Sequence, residues 1–295
     1  MQQRSEANMP HTRDKASIRT GWEALGLPSS VFRRMCHQGE IALDNSSPSQ
    51  QRFQALLFDC LCSSGREHPW DRMTGRSFRD LLCYFSWVAP QPDRLLIRTN
   101  TADRIASYLL PYTRVFSDGS HEHSGIPGMR VENFSARTIH LRHLPTGGAL
   151  DLQDRTRSRD SRDMREGLRW ELHVRAKSES EDRRSPAHLQ PEPSLAEAAA
   201  RKHWSHETST FLRSALMVRS NLWFREQGAF LGRPRRSNAS HCLRWCHGPS
   251  CEEVGRLLTA GPLRIPGASF VPPTHDGDVG ILFRESAALE LYTPG

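Results

Sequence analysis

Lysine is almost missing from this chain: Lys15, Lys177 and Lys202 are its only lysines among 40 basic residues. Apolar residues are scarce as well, at 37% of 295 residues, where globular chains carry about 45–50%. The mean hydropathy is −0.62. The longest apolar stretch, Leu81 to Pro90, is ten residues and is broken by Ser86. A membrane-spanning helix needs about 20, so a helical integral membrane protein is excluded. Met1 to Gly21 has no apolar core and contains Glu6 and Asp14, so this stretch is expected to be neither a secretory signal nor a good transit peptide. There is no Walker A loop, no G-x-G-x-x-G, no G-x-S-x-G and no H-E-x-x-H, so the enzyme classes those motifs mark receive no support. Seven cysteines, an odd number, fit a reducing compartment better than a closed disulfide framework. The expected location is the nucleus or the cytoplasm, and the glycosylation sequons at Asn45, Asn133 and Asn238 are then chance matches.

What is present is arginine. The chain carries a formal charge of +7 and a pI near 9.3. Arginine forks onto phosphate and stacks on rings better than lysine does, which points to nucleic acid or another anionic partner. A GC-rich coding sequence yields the same bias without any function. So does a reading frame under weak selection, whose product need not pack and has no dedicated role.

The expected organisation is α+β with substantial disorder: a helical N-terminal half, a small antiparallel sheet, and a long helix in the C-terminal third with a loop-rich tail. Residues 1–15 are polar and expected to be disordered, 16–176 to form an α+β domain, 177–193 a linker, and 194–295 a helix with a basic Cys/His loop region. Ser47-Pro48 starts a helix whose Phe53, Leu56, Leu57, Cys60 and Leu61 recur at helical spacing. Gly75 to Val88 has the same spacing, and Asn100 is placed to cap a third helix that Pro111 stops. Thr113 to Ser117 reads as a strand entering a turn at Asp118-Gly119, and Phe134 to Leu144 as a strand. From Gly167 to Lys177 apolar and polar residues alternate strictly, which predicts a half-buried strand. The Arg/Asp run 151–166 resembles the Arg/Ser repeats of RNA-processing proteins but is electrically neutral, and is expected to be a solvated loop or charged helix. Ser194 and Glu197 have the spacing of a capping box, and the helix after it is expected to reach about Gln227. Residues 231–275 read as irregular, with a strand pair at 279–283 and 289–292. No internal repeat stands out.

Three constellations carry chemistry. Residues 201–247 hold nine basic residues against two acids, interleaved with aromatic rings. That is the raw material of single-strand binding, in which arginines hold phosphates and rings stack on bases. Arg233, Arg235, Arg236 and Arg244 are the expected phosphate ligands, and Trp223 and Trp245 the stacking rings. Gly232-Arg233-Pro234-Arg235-Arg236 resembles the core of an AT-hook, with Leu231 where that motif carries an arginine; the resemblance implies minor-groove contact. The second constellation is Cys242, Cys246, His247 and Cys251, with His241 as an alternative ligand: enough soft donors for one tetrahedral zinc. It resembles a zinc knuckle, although the gaps between its ligands differ. The third is His121 and His123, which would share one side of a strand, joined by at most one of His140 and His143, which face opposite ways on the expected strand, and by Glu132 as the candidate carboxylate. The HxH pair resembles the metal motif of cupin barrels. The leading expectation is a non-enzymatic binding protein that contacts nucleic acid, or another protein, through residues 201–251. The alternatives are a metal-dependent enzyme using His121, His123 and His140, or a poorly folded product.

Overall fold

The structure is a computed structural model. It describes residues 23, 25–31, 42–44, 46–62, 84–115, 118–119, 121–155, 160–177, 183–185, 189–202, 210–222, 229–232, 241–245, 249–273 and 279–293. The predicted disorder of residues 1–15 lies outside these residues.

Helix α1 (Pro48–Cys62) leads into strands β1 (Phe85–Pro90) and β2 (Arg94–Thr99), then helix α2 (Ala102–Leu109). Strands β3 (Tyr112–Val115), β4 (His121–Ser124), β5 (Met129–Ser135), β6 (Thr138–His143) and β7 (Ala149–Asp154) follow, and then helix α3 (Ser161–Lys177). Next come β8 (Arg183–Ser185), α4 (Leu195–Lys202), α5 (Thr210–Val218), β9 (Ala229–Gly232), β10 (His241–Trp245) and α6 (Cys251–Thr259). Strands β11 (Ser269–Val271), β12 (Val279–Arg284) and β13 (Ala287–Tyr292) close the chain.

The strands form two five-stranded sheets, ordered β1-β2-β7-β6-β5 and β11-β12-β13-β10-β9, and a three-stranded sheet β4-β3-β8. This overturns the expectation of a helical half followed by one small antiparallel sheet. Each large sheet also contains a parallel pair, β2 with β7 and β10 with β13. Parallel neighbours need a crossover, and α2 and α6 lie in those crossovers.

The two large sheets repeat one plan. Each begins with a leading helix (α1 or α5), an antiparallel strand pair, a crossover helix, and three strands whose last runs parallel to the second strand of the pair. The detail repeats where each crossover helix ends. The Ile126 amide donates to the Leu109 carbonyl at 2.9 Å, and the Met129 amide to the Ile126 carbonyl at 3.0 Å. In the second half the Ile265 amide donates to Leu258 at 2.7 Å, and the Ala268 amide to Ile265 at 3.0 Å. Both turns read Ile-Pro-Gly, and Gly128 and Gly267 take positive φ, 90° and 74°. The expectation of no repeat is thus corrected. What the halves share is a topology and a three-residue turn, and three identical residues are too few to mark a repeat in the sequence by themselves.

Several local expectations also change. The strict alternation of 167–177 belongs to helix α3. Met164 and Leu168 are buried and Leu172 packs against the core, at i, i+4, i+8, while Trp170 is 65% and Val174 42% exposed. Asp160 starts that helix by accepting from the amides of Arg162 and Asp163, at 2.8 and 2.9 Å. The last four residues of the predicted 75–88 helix belong to strand β1, and the remainder of that prediction, apart from Tyr84, lies outside the described residues. The long helix after Ser194 is two helices, α4 and α5, with residues 203–209 outside the described set. Thr101, not Asn100, is the cap of α2, and it makes no side-chain cap bond. Residues 134–144 contribute to two strands, because Arg137 turns the chain at φ 62°. The span read as irregular contains α6, which carries a full capping box between Ser250 and Glu253.

Two buried arginines tie these pieces together. Arg219 is 1% exposed and directs its five N–H groups at Asp44 Oδ1 and Oδ2 and the carbonyls of Ala215, Leu263 and Arg264, all within 2.7–3.0 Å. The bond to Asp44 joins the start of the first half to the second. Arg130 forks onto Glu197 at 2.8 and 3.0 Å and also holds the carbonyls of Gln190 and Glu192. Glu197 completes its predicted capping box with Ser194 and accepts from the Gly128 amide at 2.7 Å. Burial pushes the Glu197 carboxyl up, but Arg130 and the Ser194 and Gly128 amides outweigh it and hold it below the ordinary carboxylate range.

Two stability predictions follow from these ties. Asp44→Ala leaves Arg219 buried without its counter-charge, and urea denaturation should show a loss of about 3–5 kcal/mol. Glu197→Gln should destabilise the protein at pH 7. Because Glu197 titrates lower in the folded chain, its contribution is present above the unfolded value near 4.5 and fades as pH falls through the folded one. Thermal melts of wild type and variant should therefore converge below about pH 4.5.

Candidate active site on the first sheet

The first sheet has one apolar and one polar face, because successive side chains alternate. Leu95, Ile97, Ile139, Leu141, Leu150 and Leu152 face the core and are fully buried. The opposite face carries Arg94 and Arg98 from β2, Asp151 and Gln153 from β7, Thr138, His140 and Arg142 from β6, and Asn133 and Ser135 from β5. Cross-strand pairing sets them in rows: Leu96 with Asp151, Asp151 with His140, His140 with Asn133.

A bulge makes this alignment possible. Up to Val131, strand β5 pairs with β6 in one register, Met129 with His143 and Val131 with Leu141. After the extra residue Glu132 the register shifts, and Asn133 pairs with His140 and Ser135 with Thr138. A shift of one residue exchanges the faces of a strand. If Glu132 paired with His140 instead of bulging out, Asn133 would oppose Ile139 and join the core face.

The polar face holds a hydrogen-bonded line of three side chains. Ser135 Oγ lies 2.8 Å from His140 Nε2, and His140 Nδ1 lies 2.7 Å from Asp151 Oδ1. A carboxylate only accepts, so Nδ1 carries the proton and Nε2 of the neutral imidazole is left to accept from the Ser135 hydroxyl. Arg94 donates to both Asp151 oxygens, at 3.1 and 3.2 Å. Burial works against the Arg94 charge, but the Asp151 carboxylate outweighs it and pushes the Arg94 pKa up. Ser135 is exposed, whereas the side chains of His140 and Asp151 are 17% and 13% exposed. The solvent-facing hydroxyl is thus backed by a base, and the base by a fixed carboxylate: the order that nucleophilic catalysis requires.

The residues singled out from sequence are placed differently. His140 was expected to bind metal, but both its ring nitrogens are engaged in this line. His121 and His123 stand on β4, in the three-stranded sheet, away from the sheet that carries His140. Glu132 pairs with Arg142 at 3.2 Å, and His143 is turned to the core face, where it meets Thr146 and the Pro127 carbonyl. Among the described residues no group of three or more potential metal-binding side chains occurs.

Arg233, Arg235, Arg236, Trp223, Cys246 and His247 lie outside the described residues, and so does the AT-hook-like segment apart from Gly232, the last residue of β9. Trp245 is fully buried, and its indole N–H donates to the Pro249 carbonyl at 2.8 Å. Arg244 is half-buried on β10. Within the same basic window, Arg213 pairs with Asp59 and Arg219 with Asp44, so these two charges are spent inside the fold. Cys242 and Cys251 are buried thiols that form no disulfide, and burial pushes the Cys242 thiol up. His241 occupies the first position of β10.

Sequence reasoning missed Ser135 and Asp151. Ser135 has no G-x-S-x-G around it, and Asp151 stands at the head of the Arg/Asp run that read as solvated. The usable signal was the strand pair itself. Short polar residues at matching positions of adjacent strands meet on one face. Among the described residues no helix is long and apolar enough to cross a membrane. Family models, curated proteins and solved structures give no match to this chain.

Proposed function

We propose that the protein is a hydrolase of the serine-nucleophile type, acting on an ester or thioester at the polar face of the first sheet. The observation that carries this reading is the continuous bond line Ser135–His140–Asp151, with the hydroxyl at its exposed end.

Ser135 Oγ attacks the carbonyl carbon while His140 Nε2 takes its proton. The oxyanion collapses, the leaving group departs with the proton from Nε2, and the acyl group remains on Ser135. Water, deprotonated by His140, then releases the acid and restores the hydroxyl. Asp151 holds the ring in the tautomer that leaves Nε2 free to accept, and Arg94 holds Asp151. Asn133 is exposed on the same face, two residues before Ser135, and its amide is the side-chain donor assigned to the developing oxyanion.

A fluorophosphonate probe with mass-spectrometric mapping tests this. The expected result is a covalent adduct on Ser135, formed at least 100-fold more slowly in His140→Gln, together with 4-nitrophenyl butyrate hydrolysis that Ser135→Ala abolishes. Circular dichroism of both variants should match the wild type. Equal labelling of wild type and His140→Gln, or hydrolysis that survives Ser135→Ala, would overturn the proposal.

A further inference from the structure

The four arginines on the polar face of the first sheet differ in what they hold. Arg94 is committed to Asp151, Arg130 to Glu197 and Arg142 to Glu132. Arg98 has no carboxylate partner among the described residues. Its Nε is buried with no hydrogen-bond acceptor, and its guanidinium lies 5.9 Å from the centre of the Trp87 ring. A buried, unanswered guanidinium donor is costly unless something supplies an acceptor. Stacking beside a ring fixes the plane of the fork and leaves its edge for an incoming anion.

Arg98 is also in line with the nucleophile. The cross-strand pairs run Trp87–Arg98, Arg98–Gln153, Gln153–Thr138 and Thr138–Ser135. Arg98 and Ser135 thus stand at two ends of one row, three strand spacings or about 14 Å apart at the backbone, with Gln153 and Thr138 as the floor between them.

We infer that Arg98 is a specificity-determining residue: it receives a carboxylate or phosphate at the far end of the substrate's acyl chain while Ser135 meets the carbonyl. The inference rests on the hydrolase reading and adds the substrate class, an acyl chain with an anionic terminus that lies across the strands.

Two 4-nitrophenyl esters of suberic acid separate the two claims, one with the second carboxyl free and one with it methylated. Wild type should cleave the free acid with a kcat/KM about tenfold higher at low salt, and added salt should narrow the gap. Arg98→Met should bring the free acid down to the level of the methyl ester and leave the methyl ester unchanged. Arg98→Lys should keep part of the preference. If both esters are cleaved through Ser135 at the same rate, or if the preference survives Arg98→Met, the Arg98 assignment is overturned and the hydrolase reading stands. If neither ester is cleaved through Ser135, both fall.

Discussion

Strand β7 enters its sheet beside β2, and the two run parallel. This pairing brings Asp151, 57 residues after Arg94 in sequence, into the gap between Arg94 and His140. A carboxylate in so enclosed a position must be answered by partners, and here one guanidinium and one imidazole do so. The arrangement asks for little else from the chain. Ile97, Leu150 and Leu152 fix the depth of the two strands from beneath, and the ordinary sheet spacing does the rest. The site residues on β5, β6 and β7 come from three consecutive strands, so their order along the chain is also their order across the sheet.

The repetition of one plan in both halves gives this placement a comparison inside the molecule. By strand pairing, Glu290 on β13 occupies the place of Asp151 on β7, and Arg244 on β10 that of Arg98 on β2. The neighbour of Glu290 on β12 is Ile281 rather than a histidine. Glu290 itself is fully buried. The second sheet therefore keeps an acid and an arginine in the shared frame without the base or the hydroxyl. The same scaffold position carries a side chain of the Ser135–His140–Asp151 bond line in one half and a fully buried acid in the other, which suits a plan whose stability comes from the apolar face of each sheet.

Legibility in the sequence followed the strength of local signals. Helix α1, the crossover helix α2, the capping box at Ser194, the turn at Asp118-Gly119 and the closing strand pair could all be read, because each rests on a few adjacent residues. Helix α3 was misread, since its apolar residues satisfy a period of two as well as the i, i+4 stripe that becomes buried. The parallel pairings could not be read, because nothing local specifies which distant strand a segment will meet. The fate of individual charges in the basic window could not be read for a related reason. Counting charges treats each arginine as solvated, whereas Arg213 and Arg219 are consumed by Asp59 and Asp44 in the interior. Of the candidate site only His140 was noticed, and it was assigned a different chemistry.

The extra residue at Glu132 has a consequence for how this sheet tolerates a change of length. In a plain hairpin the later part of β5 would turn its hydroxyl and amide toward the apolar interior, and the outer surface would carry Phe134 instead. That exchange follows only if Glu132 takes a place in the ladder; with Glu132 bulged out, or missing altogether, Val131 faces Leu141 and Asn133 faces His140. The outer row of this sheet is therefore insensitive to a one-residue change of length at that point, and the neighbouring strands need not move to accommodate it.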